Sequence, residues 1–242
     1  MLLTIWAAIY FILYMLVLLP VGIITFLFSF LGQRLRKFMS FVMYKAAQGG
    51  ALLFFKAISC TVTAAGRENI PKDDGICFVS NHDGLFDIIL LIAYCGRPIG
   101  FIAKKELSYI PFLNIWIYMI GGHFIDRASP RKANLSINKG VNKLKSGGGM
   151  IIFPEAHRSR GRGLLPFHPG ALKLATLSQV PIVPVAISGT SNAFEKNYRV
   201  TKTSMKVSFC EPIYTADLPP SDRKMILCDK IYSIIKNKLE NS

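Results

Sequence analysis

An α/β domain with a mixed central sheet and flanking helices, preceded by an N-terminal helical membrane anchor, is the fold class the sequence predicts. Three observations carry it. Residues 2–33 hold no charged side chain. From about Thr61 onward, short β-rich runs alternate with amphipathic ones, the pattern of an α/β domain. No linker divides residues 61–242, and a chain that is 51% hydrophobic has ample material for a core. The expected organisation is a unit of membrane-anchoring helices over 1–60 and one domain over 61–242.

The first apolar run is interrupted only by Pro20, Gly22 and a few hydroxyls. At about 1.5 Å per residue, a continuous helix of this length exceeds the roughly 30 Å hydrocarbon core of a bilayer. A secretory signal peptide fits poorly, because the run is too long, no basic side chain precedes it and no small-residue cleavage site follows. Arg34, Arg36, Lys37 and Lys45 come next, so the positive-inside rule places the following domain in the cytoplasm. A second apolar stretch, Ala51 to Val62, contains Lys56 and is too short to span. The segment reads either as one tilted span or as a helix pair dipping into one leaflet. A buried core helix of such length is rare in soluble proteins.

Strands are expected at Ile76–Ser80, Ile99–Ala103, His123–Asp126, Gly149–Phe153, Pro181–Ile187 and Met205–Phe209. A helix is expected from Asp87 to Cys95, stopped by Gly96 with Pro98 behind it. The clearest helix runs from Pro130 to Lys145. Ser129 is its N-cap, Pro130 fits its first position, and Ala133, Ile137, Val141 and Leu144 form one stripe. Ala171–Leu177 and Ser221–Leu239 are further helical stretches, the last with Leu227, Ile231, Ile234 and Ile235 on one face.

Twenty-nine basic side chains stand against 14 acidic ones, a formal net charge of +15. That attracts anionic membrane lipid, phosphorylated ligands or nucleic acid. Nucleic acid is disfavoured, because the aromatic residues do not interleave with the basic ones. The five cysteines are scattered without a CxxC pair, so neither structural zinc nor a disulfide framework is expected and a reducing cytosolic setting fits.

The most informative motif is His82-Asp83-Gly84-Leu85-Phe86-Asp87, lying between a strand-like and a helix-like run. On one helix, positions five apart point roughly 140° from each other at about 100° per residue. His82 and Asp87 meet only if His82 lies in the turn before the helix and Asp87 in its first turn, where an acid also suits the helix dipole. Such a pair makes a base able to take a proton from a hydroxyl. Four more segments set polar residues beside apolar runs: Lys104-Lys105-Glu106-Leu107 with Pro111, Gly121 to Arg127, Phe153 to Arg160, and Val180 to Val185 with two prolines. Strand ends of this kind deliver charges to a common rim, where open α/β sheets bind ligands. Arg and Lys gathered there suit a phosphate. A metal site is not expected, since His123 stands alone and His157 and His168 lack a helical ligand spacing.

In this order the blocks resemble the glycerophospholipid acyltransferase family, and within it the bacterial-type 1-acylglycerol-3-phosphate acyltransferases. The family's His-x4-Asp is matched at His82 and Asp87. Its Lys-x-Glu-Leu-type block with later Pro and Asp-Arg is matched at Lys105-Glu106-Leu107, Pro111 and Asp126-Arg127. Its Phe-Pro-Glu-Gly-Thr-Arg-Ser is matched at Phe153, Pro154, Glu155, Arg158 and Ser159, and its Val-Pro-x-x-Pro-Val at 180–185. The likeness covers about residues 55–215. Ala156-His157 depart from the usual Gly-Thr: the added methyl either restricts approach to backbone amides or demands a different backbone angle. Phe167-His168-Pro169-Gly170 stands where relatives often carry Phe-Lys-x-Gly, which removes one cation.

The resemblance implies a catalytic domain over 61–242 that moves a fatty acyl group from a thioester to the free hydroxyl of 1-acylglycerol 3-phosphate, giving phosphatidic acid. His82 would be the general base and Asp87 its orienting acid. Lys105, Arg158, Glu155 and Arg127 would form the phosphate site, Glu155 by holding an Arg or backbone groups. The co-substrate would be acyl-CoA or acyl-acyl carrier protein, with no cofactor and no metal. No serine or cysteine nucleophile is required, and no Gly-x-Ser-x-Gly elbow occurs. Expected partners are a lysophospholipid acceptor, the acyl donor and anionic membrane lipid, with oligomeric state open. Two alternatives stay in play: the same chemistry on glycerol 3-phosphate, another lysophospholipid or a lipid-linked amine or sugar, and a non-catalytic basic protein tethered to the membrane.

Overall fold

The computed structural model describes residues 1–28, 33–72, 75–110, 113–126, 128–215 and 223–241. Two long helices come first, α1 (Leu2–Phe28) and α2 (Gln33–Ala57). They pack antiparallel: the Tyr10 hydroxyl donates to the Gly50 carbonyl at 3.1 Å, and the Tyr14 hydroxyl donates to the Ala46 carbonyl one turn away. A Cβ on Gly50 would run into the Tyr14 ring, so this close approach requires glycine. The apolar stretch read at 51–62 is not one element. It is the end of α2 joined to the first strand, and α2 begins eighteen positions earlier because exposed basic residues such as Lys45 interrupt its apolar pattern without breaking the helix. Leu2–Ile24 and Phe38–Ala57 are each long and apolar enough, by length and composition, to cross a membrane.

The remaining elements alternate broadly as expected, with β1, α4 and α7 as additions: β1 (Thr61–Ala65), β2 (Ile76–Ser80), α3 (Asp87–Tyr94), β3 (Ile99–Lys104), α4 (Leu113–Met119), β4 (His123–Ile125), α5 (Pro130–Lys145), β5 (Gly149–Ile152), α6 (Lys173–Ser178), β6 (Ile182–Ser188), α7 (Thr190–Ala193), β7 (Ser204–Phe209) and α8 (Arg223–Glu240). Among the described residues, seven strands form one mixed sheet in the order β1-β7-β6-β2-β5-β3-β4. Every neighbouring pair is parallel except β6 with β7. The ends of β2, β3, β4, β5 and β6 therefore face one edge of the sheet.

Period-two alternation divides the core. Ile76 and Phe78 of β2 pack on the face that carries α3 and the end of α2, with Phe55, Ile58, Leu90 and Leu91. Cys77 and Val79 pack on the opposite face with Leu144, Leu174, Leu227 and Ile231 from α5, α6 and α8. β2 is buried on both faces, as parallel strands covered by helices are. α5 has the expected bounds, with Ser129 accepting from the Lys132 amide and Pro130 in the first turn. A third cluster, Leu18, Met43, Ala47 and Trp116, joins α1 and α2 to α4.

α1 lies along the domain. Near its start, Thr4 Oγ1 accepts the Val200 amide at 2.9 Å, and toward its end a Cβ on Gly22 would meet the Met119 side chain of α4. Its other side presents Ile5, Trp6, Ile9, Ile12, Leu13, Leu16 and Val17, all exposed.

Candidate active site

The chain leaves β2 at Ser80, turns through Asn81–Phe86 and enters α3 at Asp87. That turn does what the spacing predicts. His82 Nδ1 lies 2.6 Å from Asp87 Oδ2, with Asp87 fully buried and the imidazole 18% exposed. The same oxygen accepts the Gly84 amide at 3.0 Å, and Oδ1 accepts the Thr190 hydroxyl. Burial pushes the Asp87 carboxyl upward, while these donors favour its ionised form. With Nδ1–H donated to Asp87, Nε2 is the nitrogen left to take a proton.

Two further elements brace the turn. From the end of β5, Phe153 stacks on the His82 ring at 4.1 Å between centroids, fixing the imidazole plane. Glu155, also buried, accepts the His82 amide at 2.7 Å and the Leu165 amide at 3.2 Å. Burial lifts its carboxyl to about 7, against those two donors. The Ser159 and Arg160 amides donate to the His82 and Asp83 carbonyls at 2.7 and 3.0 Å, so the loop after β5 is sewn to the histidine turn.

Ala156 sits at φ +61°. The expected change of backbone angle does not occur: alanine keeps the left-handed angle that glycine would adopt more easily. His157, beside it, is exposed.

From the end of β6, Thr190 places its hydroxyl between Asp87 and the buried Asp83, and the Ser191 amide donates to Asp83 at 3.0 Å. Glu195 follows, with Oε1 accepting the Leu85 amide at 2.7 Å and Arg158 Nη1 at 2.8 Å. The structure thus gathers His82, Asp87, Glu155 and Arg158 around one turn. Lys105 instead pairs with Asp126 at 3.0 Å, which holds the ammonium above its usual range and the carboxyl below. Arg127 and Pro111 lie outside the described residues.

Sequence reasoning missed Thr190, Glu195 and the role of Asp83. The first two stand more than a hundred positions from the motif and carry no spacing signal. Asp83 was inside it, but alternation gives no hint that its carboxylate turns inward.

Beside the turn, a cavity of about 520 Å³ opens between α1, α2, α3 and α4, lined by Tyr10, Phe54, Ile89, Trp116 and, from the motif itself, Leu85 and Phe86. Its walls are almost wholly apolar.

A His–Asp pair, a buried glutamate and an arginine thus stand beside an apolar cleft, an arrangement with the chemistry of a base next to an apolar surface. The Acyltransferase family model matches residues 61–188, which contain His82, Asp87, Glu155 and Arg158 but neither Thr190 nor Glu195. The chain belongs to the acyltransferase family. It is 34% identical over 159 residues to the 1-acyl-sn-glycerol-3-phosphate acyltransferase of Borreliella burgdorferi, covering 66% of this chain and 62% of that protein. It is 39% identical over 121 residues to the enzyme of the same description from Escherichia coli, covering 50% and 49%. The chain thus spans about half to three-fifths of these relatives' length. Its fold is similar to the crystal structure of the 1-acyl-sn-glycerophosphate (LPA) acyltransferase of Thermotoga maritima, with a TM-score of 0.82, 28% identity and coverage of 99% of this chain and 94% of that one. The mixed sheet with flanking helices is thus the architecture of this solved family member.

Proposed function

We propose that the chain is a membrane-bound O-acyltransferase that moves a fatty acyl group from a thioester to the free hydroxyl of 1-acylglycerol 3-phosphate, giving phosphatidic acid. The observation that carries this reading is the His82–Asp87 pair in a turn whose Leu85 and Phe86 line the apolar cavity, with Arg158 anchored to the same turn.

His82 Nε2 takes the acceptor hydroxyl proton as the oxygen attacks the thioester carbonyl. Asp87 holds the tautomer and offsets the positive charge that the imidazole acquires. The new C–O bond forms, the C–S bond breaks, and the proton on His82 passes to the departing thiolate. No group on the protein is acylated, and no cofactor or metal takes part. Acyl-CoA or acyl-acyl carrier protein supplies the thioester.

Arg158 binds the acceptor phosphate. Lys105 joins it as a second cation by exchanging Asp126, since a half-exposed pair of this kind is worth little to the free protein. Glu155 acts through the backbone, by clamping the His82 amide. The apolar cavity receives an acyl chain, and burying each methylene there contributes about 0.8 kcal/mol.

The helix pair lies in one leaflet rather than across the bilayer. α1 touches the domain at Thr4 and again near Gly22, about 27 Å apart along a helix at 1.5 Å per residue. A helix bound to the domain over that distance cannot cross a membrane without drawing the domain in with it. The exposed apolar side of α1 faces lipid, and the basic residues meet anionic headgroups on the cytoplasmic face.

A panel of acceptors with one acyl thioester tests the reading. Thiol release that depends on 1-acylglycerol 3-phosphate supports it. Equal or greater release with glycerol 3-phosphate, another lysophospholipid or a lipid amine reassigns the acceptor, and salt-sensitive lipid binding without release against any acceptor rejects catalysis.

A further inference from the structure

Glu195 is a buried acid outside the matched family segment. It is well placed to act. One oxygen bridges the Leu85 amide and the Arg158 guanidinium, at 2.7 and 2.8 Å. The turn that bears it is held by the Lys196 amide on the Ser191 carbonyl, the Thr201 amide on the Ala193 carbonyl, and the Val200 amide on Thr4 of α1. Its side chain is 3% exposed, while that of Arg158 is 33% exposed. The acid is therefore fixed and the guanidinium reaches outward from it.

The other carboxylate oxygen, Oε2, is buried without a hydrogen-bond partner among the described residues. It lies where a Cβ on Gly84 would come within 2.9 Å, with the Ser191 amide nitrogen at 2.8 Å from that same point. Glycine at 84 is what allows the acid to come this close to the histidine turn. With its other oxygen on a cation and on the motif's own backbone, the carboxylate ties Arg158 to the histidine turn.

We propose that Glu195 is a positioning residue for acceptor recognition. It grips one nitrogen of Arg158, so that the remaining N–H groups of the guanidinium are presented as a preset fork to the phosphate of the acceptor. Among the described residues, Arg158 makes no other hydrogen bond, and a guanidinium carries five donors in a fixed plane. The Leu85 bond ties that fork to the turn that carries His82. Phosphate and hydroxyl of one acceptor molecule are thereby set in register. Phe194, the preceding residue, lines the apolar cavity and packs near Phe86, so the same short segment borders chain and headgroup.

The inference rests on Arg158 binding phosphate. The experiment compares kcat/KM for 1-acylglycerol 3-phosphate with that for 1-acylglycerol, which lacks the phosphate, in the full chain reconstituted in vesicles. Arg158→Ala should collapse this preference; if it does not, the phosphate assignment itself is wrong. Given that collapse, Glu195→Ala should lower the ratio about tenfold through the KM of the phosphorylated acceptor, the scale of one hydrogen bond to a charged group. It should add little in an Arg158→Ala background, because it acts through that residue. Should Glu195→Ala fail to accumulate, Glu195→Gln carries the test: it keeps an acceptor oxygen but loses the charge, and should lower the ratio about threefold. An unchanged ratio, or equal losses on both acceptors, would mean a purely structural role and overturn the proposal.

Discussion

Replacing Asp87 with asparagine separates two contributions that are usually lost together, orientation and charge. The carboxylate receives three donors: His82 and Gly84 on one oxygen, Thr190 on the other. An amide at 87 must turn its NH2 toward one set. Facing His82 and Gly84, it would clash with the Gly84 amide and force the histidine into the wrong tautomer. Facing Thr190, it meets a hydroxyl that can rotate, because Asp83 Oδ2 stands 3.1 Å away to receive the hydroxyl proton. Asp87→Asn should therefore keep the imidazole correctly held and lose only the charge. Two unit charges about 4 Å apart at an effective dielectric constant of about 20 attract by about 4 kcal/mol. At about 1.4 kcal/mol per tenfold, kcat should fall about a thousandfold with acceptor KM little changed. Adding Thr190→Val removes the rotating hydroxyl, so the double variant should lose roughly another tenfold, more than Thr190→Val costs alone. Thiol release at saturating donor reads both. Activity of Asp87→Asn within tenfold of the parent would refute the charge argument, and additive effects of the pair would refute the role given to Thr190.

Ala156 holds a left-handed backbone angle that costs an L-residue roughly 1–2 kcal/mol, of which the greater chain entropy of glycine gives back roughly half. Ala156→Gly should raise thermal stability by about 0.5–1 kcal/mol, or about 1–4 °C, in a melting experiment; a lower midpoint contradicts this. The Glu155 carboxyl titrates in the fold near 7, above its ordinary value, so the folded chain binds a proton that the unfolded chain has released. Its contribution is present at low pH and is lost as pH rises from the usual glutamate range through about 7. Glu155→Gln should flatten the dependence of melting temperature on pH across that window, and an unchanged slope counts against it. Filling the cavity with Ala51→Phe should shift donor preference toward shorter acyl chains in a competition of thioesters, with the preference for a phosphorylated acceptor retained; an unaltered chain profile removes the cavity from the substrate path.

The histidine turn was legible because helical geometry leaves one way for positions five apart to meet, and the flanking runs Ile76–Ser80 and Asp87–Tyr94 have clear apolar character. α5 was legible to its bounds, since Ser129, Pro130 and the glycines after Ser146 punctuate both ends. β1 was not: Thr61–Ala65 is an edge strand with an alternating, half-exposed pattern and little apolar content. The start of α2 was hidden because a helix exposing one side to its surroundings mixes lysines with apolar residues. In the site, local residues could be read, whereas Thr190 and Glu195 reach the histidine turn, at Asp83, Asp87 and Leu85, only through the parallel β2–β6 pairing, which no local pattern encodes. Lys105 and Asp126 were each noticed, but their ion pair depends on β3 and β4 lying side by side.

We propose His82 as the base for acyl transfer to a lipid hydroxyl. Its most direct test measures thiol release and phosphatidic acid formation together, with an acyl thioester and 1-acylglycerol 3-phosphate, for the parent chain and for His82→Ala bound to the same vesicles. The account predicts one thiol released per phosphatidic acid formed by the parent. It predicts neither product from His82→Ala, although that variant stays folded and vesicle-bound. Full turnover by His82→Ala, or thiol release by the parent without an acylated product, would contradict it.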